Sequence, residues 1–238
     1  MSSPEHSNRH DTSLTLPWMR EGTSYLLAIV DKLSDDELMG PSTLPGWSRA
    51  HVVGHIARNA EALGRLAEWA RTGVETPMYA NREHRAREID NSARLPAPTL
   101  RRDLYRTASA LDTALEALSP EQWRAQVRSA LGRAIPTAEV PWMRIREVWL
   151  HAVDLGAEAT VDDLPTGVID LLLDDVSAVL SGKDGCPALT LTPTDRDRTW
   201  SLGAADPTGY VEAPAAELAG WLTGRFRAPD RPALPRWL

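Results

Sequence analysis

The sequence predicts a mainly α-helical protein, a four-helix bundle followed by a small α+β module at the C-terminal end. Three observations carry this. Four long segments with apolar residues at helical spacing occupy the first two thirds of the chain. From about Asp162 the pattern changes to short apolar runs set between Gly, Pro and Asp turn signals. The 238 residues suffice for one large domain or two modest ones with a real hydrophobic core, so no metal is needed merely to hold the chain together.

The first helix is expected over about Leu14 to Leu33, with Leu16, Met19, Leu26, Leu27, Val30 and Leu33 as its apolar stripe. Ser34-Asp35-Asp36-Glu37 reads as a capping box that opens a short helical turn. The second helix follows Pro45-Gly46-Trp47 with Ser48 as N-cap and runs to about Arg71, where Gly73 ends it. Its apolar side is Val52, Ile56, Leu63, Leu66 and Ala70. A charged connecting segment then leads to a third helix near Pro98 to Leu118, bounded by Ser119-Pro120, and a fourth spans about Pro141 to Gly156. Helices of this kind form bundles, which build ligand and metal sites from inward-facing side chains. Beyond them come a helix over Gly167 to Leu180, strands at Ala188 to Thr192, Thr199 to Leu202 and Tyr210 to Glu212, and a helix over Pro214 to Arg225. The two parts are taken as residues 1–160 and 161–238, with the boundary near Ala159 to Pro165.

A net charge of −7 argues against a phosphate-tracking surface and against attraction to anionic lipid, so neither nucleic acid nor membrane is expected as a partner. Met1 to Ser13 is polar and lacks the apolar core of a signal peptide, and no apolar run approaches the ~18 residues of a membrane span. A cytoplasmic monomer is expected. The single cysteine, Cys186, excludes an intrachain disulfide, a Cys-rich zinc module and a CxxC redox pair.

Glu147 and His151 stand four residues apart inside the mostly apolar stretch Met143 to Leu155, so a helix puts them on one side and within reach of each other. Val148, Ala152 and Leu155 flank the pair on one side, and Met143, Leu150 and Val153 on the other. Burying two ionisable groups without partners is costly, so they either pair with each other or share a cation. Most such pairs on helices are plain ion pairs, and spacing alone leaves both readings open. A metal would need a third ligand. His6 and His10 fall in an N-terminal tail and His84 in the charged connecting segment, which leaves His51 and His55 on the second helix. His55 continues through Asn59, Ala62 and Leu66 at the edge of the apolar face and is preferred; His51 lies nearer the helix start and water. Two imidazoles and a carboxylate suit Zn²⁺ with an open fourth position, and also accept Mn²⁺, Fe²⁺, Co²⁺ or Ni²⁺. Asp154, near His151, reads equally as an acceptor that orients the imidazole or as a solvated helix-end charge.

Leu44-Pro45-Gly46-Trp47-Ser48 followed by His51-Val52-Val53-Gly54-His55-Ile56, together with Arg146-Glu147-Val148-Trp149-Leu150-His151-Ala152-Val153-Asp154-Leu155, resembles the mycothiol-dependent maleylpyruvate isomerases. These belong to the DinB-like helical-bundle superfamily, and the similarity reaches the C-terminal module through Leu218 to Arg225. The resemblance implies metal ligands at His55, Glu147 and His151, and a functional arginine at Arg225 within Leu222-Thr223-Gly224-Arg225, so that the C-terminal domain contributes to the active site. It also implies Zn²⁺ or another divalent metal and mycothiol as cofactors, a small dicarboxylate substrate, and a place in the gentisate branch of aromatic catabolism.

The implied reaction converts maleylpyruvate to its trans isomer, fumarylpyruvate. A thiolate adding to the alkene carbon removes the π character that blocks rotation and is afterwards expelled. Cys186 is single and sits next to Pro187 in the small domain, so the thiol is expected from outside. The metal is expected to activate that thiol, with polarisation of the substrate carbonyl as the alternative. Guanidinium groups suit carboxylate recognition. Besides Arg225, Arg85 within Asn81-Arg82-Glu83-His84-Arg85-Ala86-Arg87-Glu88 is a candidate, set against a solvated mixed-charge face. Trp47, Trp69, Trp142 and Trp149 are expected in the core, with a pocket wall for the thiol's sugar as the alternative. Two other functions compete: a thiol S-transferase of the same superfamily, and a non-catalytic metal-stabilised binding module.

Overall fold

The structure, a computed structural model, describes residues 8–237, so His6 lies outside the described residues. The chain divides into two compact units, Asn8–Ala159 and the residues from Thr160 onward.

The first unit contains α1 (Thr12–Lys32), α2 (Asp35–Met39), α3 (Arg49–Thr72), α4 (Arg82–Ala93), α5 (Ala97–Glu116), α6 (Pro120–Arg124), β1 (Gln126–Arg128), β2 (Ala134–Pro136) and α7 (Val140–Asp154). The four long helices close into a bundle: α3 lies against α5 and α7, and α1 against α7 and α5. Local chemistry sets the ends. Ser34 and Ser48 each cap a helix through a reciprocal capping box, and Gly73, with φ of 74°, closes α3 in a left-handed turn that donates to the Trp69 carbonyl.

Three features differ from expectation. The charged segment after α3 is the helix α4, which buries only Ile89, Ser92 and Ala93 and is otherwise polar, so it lacks a broad apolar stripe to announce it. It packs closely on α3 because Gly54 has no side chain; a Cβ there would lie 2.7 Å from the Ser92 Cβ. The β1–β2 hairpin was also unforeseen, since strands of three residues, pairing buried Val127 with buried Ile135, are too short to show alternation. Finally, His10 belongs to an ordered 3₁₀ turn, Asn8–His10, and its Nε2 lies 3.1 Å from Glu139 Oε2. Burial alone would raise the Glu139 pKa, but the His10 hydrogen bond and the Arg9 and Arg133 charges outweigh it and hold the carboxylate below its ordinary value.

The buried stripe of α1 is Thr15, Met19, Gly22, Leu26, Ile29 and Val30, which leaves Leu16, Leu27 and Leu33 at its margin. Trp149 of α7 explains the rotation. Its indole lies over Gly22, stacks on Tyr25 with ring centres 5.2 Å apart and donates to the Trp18 carbonyl at 3.2 Å. A Cβ at Gly22 would sit 2.4 Å from Trp149 Nε1. Gly22→Ala is therefore expected to lower stability by about 1–3 kcal/mol through overpacking. Urea unfolding reads this as a lower midpoint at constant slope; an unchanged midpoint would mean that Trp149 gives way freely.

The second unit contains α8 (Thr166–Ser181), β3 (Leu189–Pro193), β4 (Trp200–Leu202), β5 (Tyr210–Ala213) and α9 (Ala215–Thr223). The central strand β3 runs antiparallel to β4 and parallel to β5. It buries alternate residues Leu189, Leu191 and Pro193, while α8 and α9 pack on each other and on the sheet. Gly224, with φ of 77°, ends α9 in a left-handed cap, so Arg225 lies just beyond the helix and not within it. No described helix is long and apolar enough to cross a membrane.

Candidate active site

The bundle brings His55 of α3 against Glu147 and His151 of α7, with one donor atom from each lying within 4.8 Å of the others. His55 Nε2 is 2.8 Å from Glu147 Oε2, and His151 Nε2 is 3.2 Å from the same oxygen. The two imidazoles meet edge to face at 4.8 Å. His55 is buried and the other two are partly exposed, so the cluster is reachable from outside.

His51 has a different task. Its Nδ1 lies 3.2 Å from the Ser48 backbone N–H and 2.7 Å from the Ser48 hydroxyl, so it takes the place of Glu or Gln in the capping box of α3. One turn along the same helix, His55 faces α7. Trp47, just before the cap, meets the His55 ring in a T-shaped contact with centres 5.6 Å apart. The loop carrying it is tied to the end of α7: Thr43 N–H donates to the Asp154 carbonyl at 3.0 Å, and Arg49 donates to the Leu155 and Gly156 carbonyls.

Asp154 is buried and accepts from His151 Nδ1 at 2.8 Å, which decides between its two readings in favour of orientation. His151 Nε2 is thereby turned toward Glu147. Burial works against charge on His151, but Asp154 and Glu147 outweigh it and raise its pKa above the ordinary imidazole value. Burial likewise opposes charge on Glu147, yet the two imidazoles hold its carboxyl well below the usual range. His55 is pushed the other way by burial, only partly offset by Glu147, and stays neutral. Its Nδ1 lies 3.3 Å from an Arg85 amino group, which can only donate; the His55 proton therefore sits on Nε2, facing Glu147.

Arg85 thus belongs to helix α4 and touches the cluster, while its neighbours Arg82 and Arg87 are exposed. Two further residues escaped the sequence reading. Arg144, one turn before Glu147, is buried and donates to the Ile56 carbonyl at 2.7 Å and Asn59 Oδ1 at 2.8 Å. Burial lowers its pKa to about 10, with Glu147 opposing, so it remains a cation at neutral pH. An arginine inside an apolar stretch was the available signal. Tyr79, in the segment between α3 and α4, lies beside Arg85; nothing in its sequence neighbourhood marks it. Trp142 and Trp149 are core residues.

In the second unit, Arg225 donates its backbone N–H to the Gly220 carbonyl at 2.7 Å and its guanidinium to the Thr223 carbonyl at 2.8 Å. Cys186 is half-buried, and burial raises its thiol pKa, which disfavours the thiolate.

The family described as the mycothiol maleylpyruvate isomerase N-terminal domain matches residues 19–156, more than half of the chain. A crystal structure of a mycothiol-dependent maleylpyruvate isomerase is similar over 100% of both chains at 33% identity and a TM-score of 0.88. A histidine-to-alanine mutant of such an isomerase matches with the same identity, coverage and TM-score. No curated protein gives a significant match. The helical N-terminal domain and C-terminal α+β region are those of these structures. This chain is an isomerase, and it belongs to the mycothiol-dependent maleylpyruvate isomerase family.

Proposed function

We propose that this chain converts maleylpyruvate to fumarylpyruvate, using mycothiol as the thiol and a divalent cation held by His55, Glu147 and His151. The donor cluster carries the reading: two imidazoles and an ionised carboxylate from two helices, within 4.8 Å, in a chain of this family. The donors fit such a cation. Glu147 brings the charge, Asp154 keeps the His151 Nδ1 proton away from the shared space, and His55 offers Nε2 once its proton moves to Nδ1, away from Glu147 and in place of the Arg85 contact. Two nitrogens and one oxygen leave a tetrahedral ion one open position, which favours Zn²⁺ and catalysis over scaffolding.

When bound, the cation supplies a Lewis acid that favours the thiolate form of a thiol. The thiol supplies a nucleophile able to suspend, reversibly, the π bond that blocks rotation. The remaining tasks fall to the chain. Trp47 and the Thr43–Asp154 tie hold α3 and the end of α7 in register, so the donors need little reorganisation. Arg85 offers a guanidinium beside the cluster to an incoming carboxylate, and Arg225 is assigned a similar role on family grounds. Cys186, held as a thiol, leaves the sulfur to an external molecule.

Purified protein mixed with mycothiol and maleylpyruvate is expected to form fumarylpyruvate, followed by its ultraviolet spectrum. A thiol conjugate without fumarylpyruvate would overturn the reading in favour of thiol transfer. Arg225→Ala is expected to slow turnover by about tenfold or more, the scale of a lost charge-assisted hydrogen bond, with metal content unchanged. An unaffected rate removes Arg225 from the mechanism.

A further inference from the structure

The segment between α3 and α4 is fixed at both ends of a short stretch. Arg65 of α3 grips the Met78 carbonyl with two guanidinium nitrogens, its Nε at 3.0 Å, and Met78 itself is buried. Three residues on, the Asn81 side chain caps α4 by accepting from the His84 N–H at 2.8 Å. Tyr79 lies between these anchors, so its position is built and not incidental.

Tyr79 packs beside Arg85, whose guanidinium carbon lies 5.6 Å from the ring centre. An arginine can only donate, so Arg85 cannot take the phenol proton, which is left for another partner. No described residue accepts that proton. Burial raises the Tyr79 pKa above its ordinary value, helped by the nearby Glu147 charge and opposed by Arg85 and Arg65, so the phenol remains a neutral donor.

Arg85 differs from most arginines of the bundle. Arg20, Arg58, Arg71, Arg101 and Arg106 are each paired with carboxylates, whereas Arg85 meets only His55 and Tyr79 among the described residues. An imidazole that gives Nε2 to a cation carries its proton on Nδ1 and no longer accepts, so loading the cluster would also release Arg85 from His55. Arg85 and Arg65 both act on Tyr79, Arg144 lies near Glu147, and a divalent cation at the cluster would add positive charge there. A carboxylate is the ligand group that suits this local positive charge.

We propose that Tyr79 and Arg85 form a carboxylate subsite beside the donor cluster, the phenol and the guanidinium each donating to one carboxylate of the substrate. This rests on the isomerase reading for its substrate class, a small cis-dicarboxylate, but the subsite can be tested without turnover. Tyr79 is here a specificity-determining residue that touches the ligand directly.

The test is calorimetric titration of maleate, a simple cis-dicarboxylate, into the full chain loaded with Zn²⁺. Tyr79→Phe is expected to keep its metal content and weaken maleate binding about tenfold, the scale of one hydrogen bond to a charged group. Equal affinities for wild type and Tyr79→Phe overturn the subsite, whatever the turnover. In an Arg85→Met background the Tyr79→Phe change should still weaken binding. If it has no effect there, Tyr79 acts only by holding Arg85, and direct donation is overturned. Tyr79-dependent maleate binding in a protein that never converts maleylpyruvate with thiol present would support the subsite and overturn the isomerase reading instead.

Discussion

His151→Ala is expected to empty the proposed metal site and abolish turnover. Wild-type protein should hold about one divalent ion per chain and the variant a small fraction of that, because two remaining donors cannot retain an ion whose sites normally use three protein ligands. Elemental analysis after dialysis reads the result; equal contents would reject the site. The same residue sets the pH dependence. Its pKa is raised in the metal-free fold, so below that value the metal must displace a proton, and affinity should rise with pH and level off above it. The metal-free protein follows the opposite sign. A raised imidazole pKa gives stability that is fully present below about 6.5, the unfolded value, and is lost as pH climbs through the folded value. Glu147, with a depressed pKa, adds stability above its unfolded value that is lost as pH falls through its folded one. Metal affinity that does not change with pH would exclude His151 as the displaced acid.

Arg144→Met is expected to destabilise the metal-free protein by about 3 kcal/mol, since it removes a buried cation that donates to the Ile56 carbonyl and Asn59 Oδ1 and lies near Glu147. For a chain of this size that corresponds to a fall in Tm of about 6–12 °C. The loss should shrink when metal is bound, because a divalent ion beside Glu147 restores positive potential that Arg144 supplied. Thermal unfolding of both forms measures the difference. An identical fall with and without metal would show that Arg144 only packs and bonds across α3 and α7.

The helical framework was readable because its signals are local. Ser34, Ser48 and Gly73 each satisfy or terminate backbone groups within one turn, so cap and boundary follow from neighbours in sequence. The apolar face of α1 was less readable, since its rotation is set by a tryptophan of α7 seated on Gly22. Helix α4 escaped for a related reason: it buries only three residues, and its place depends on the missing side chain at Gly54 of another helix.

The candidate site divides the same way. Glu147 and His151 could be paired from their spacing, because a helix brings positions four apart together whatever surrounds it. The sequence by itself also determined that an internal disulfide is excluded and that His51 and His55 compete for one place. The sequence preferred His55, and the tertiary structure gives His51 to the cap of α3 and turns His55 toward α7. It alone brought Arg85 and Tyr79 to the cluster and buried Asp154 against His151. The reason is range: spacing along a helix fixes which side chains share a face, while contact between helices depends on packing at distant positions such as Gly54, which no local pattern encodes.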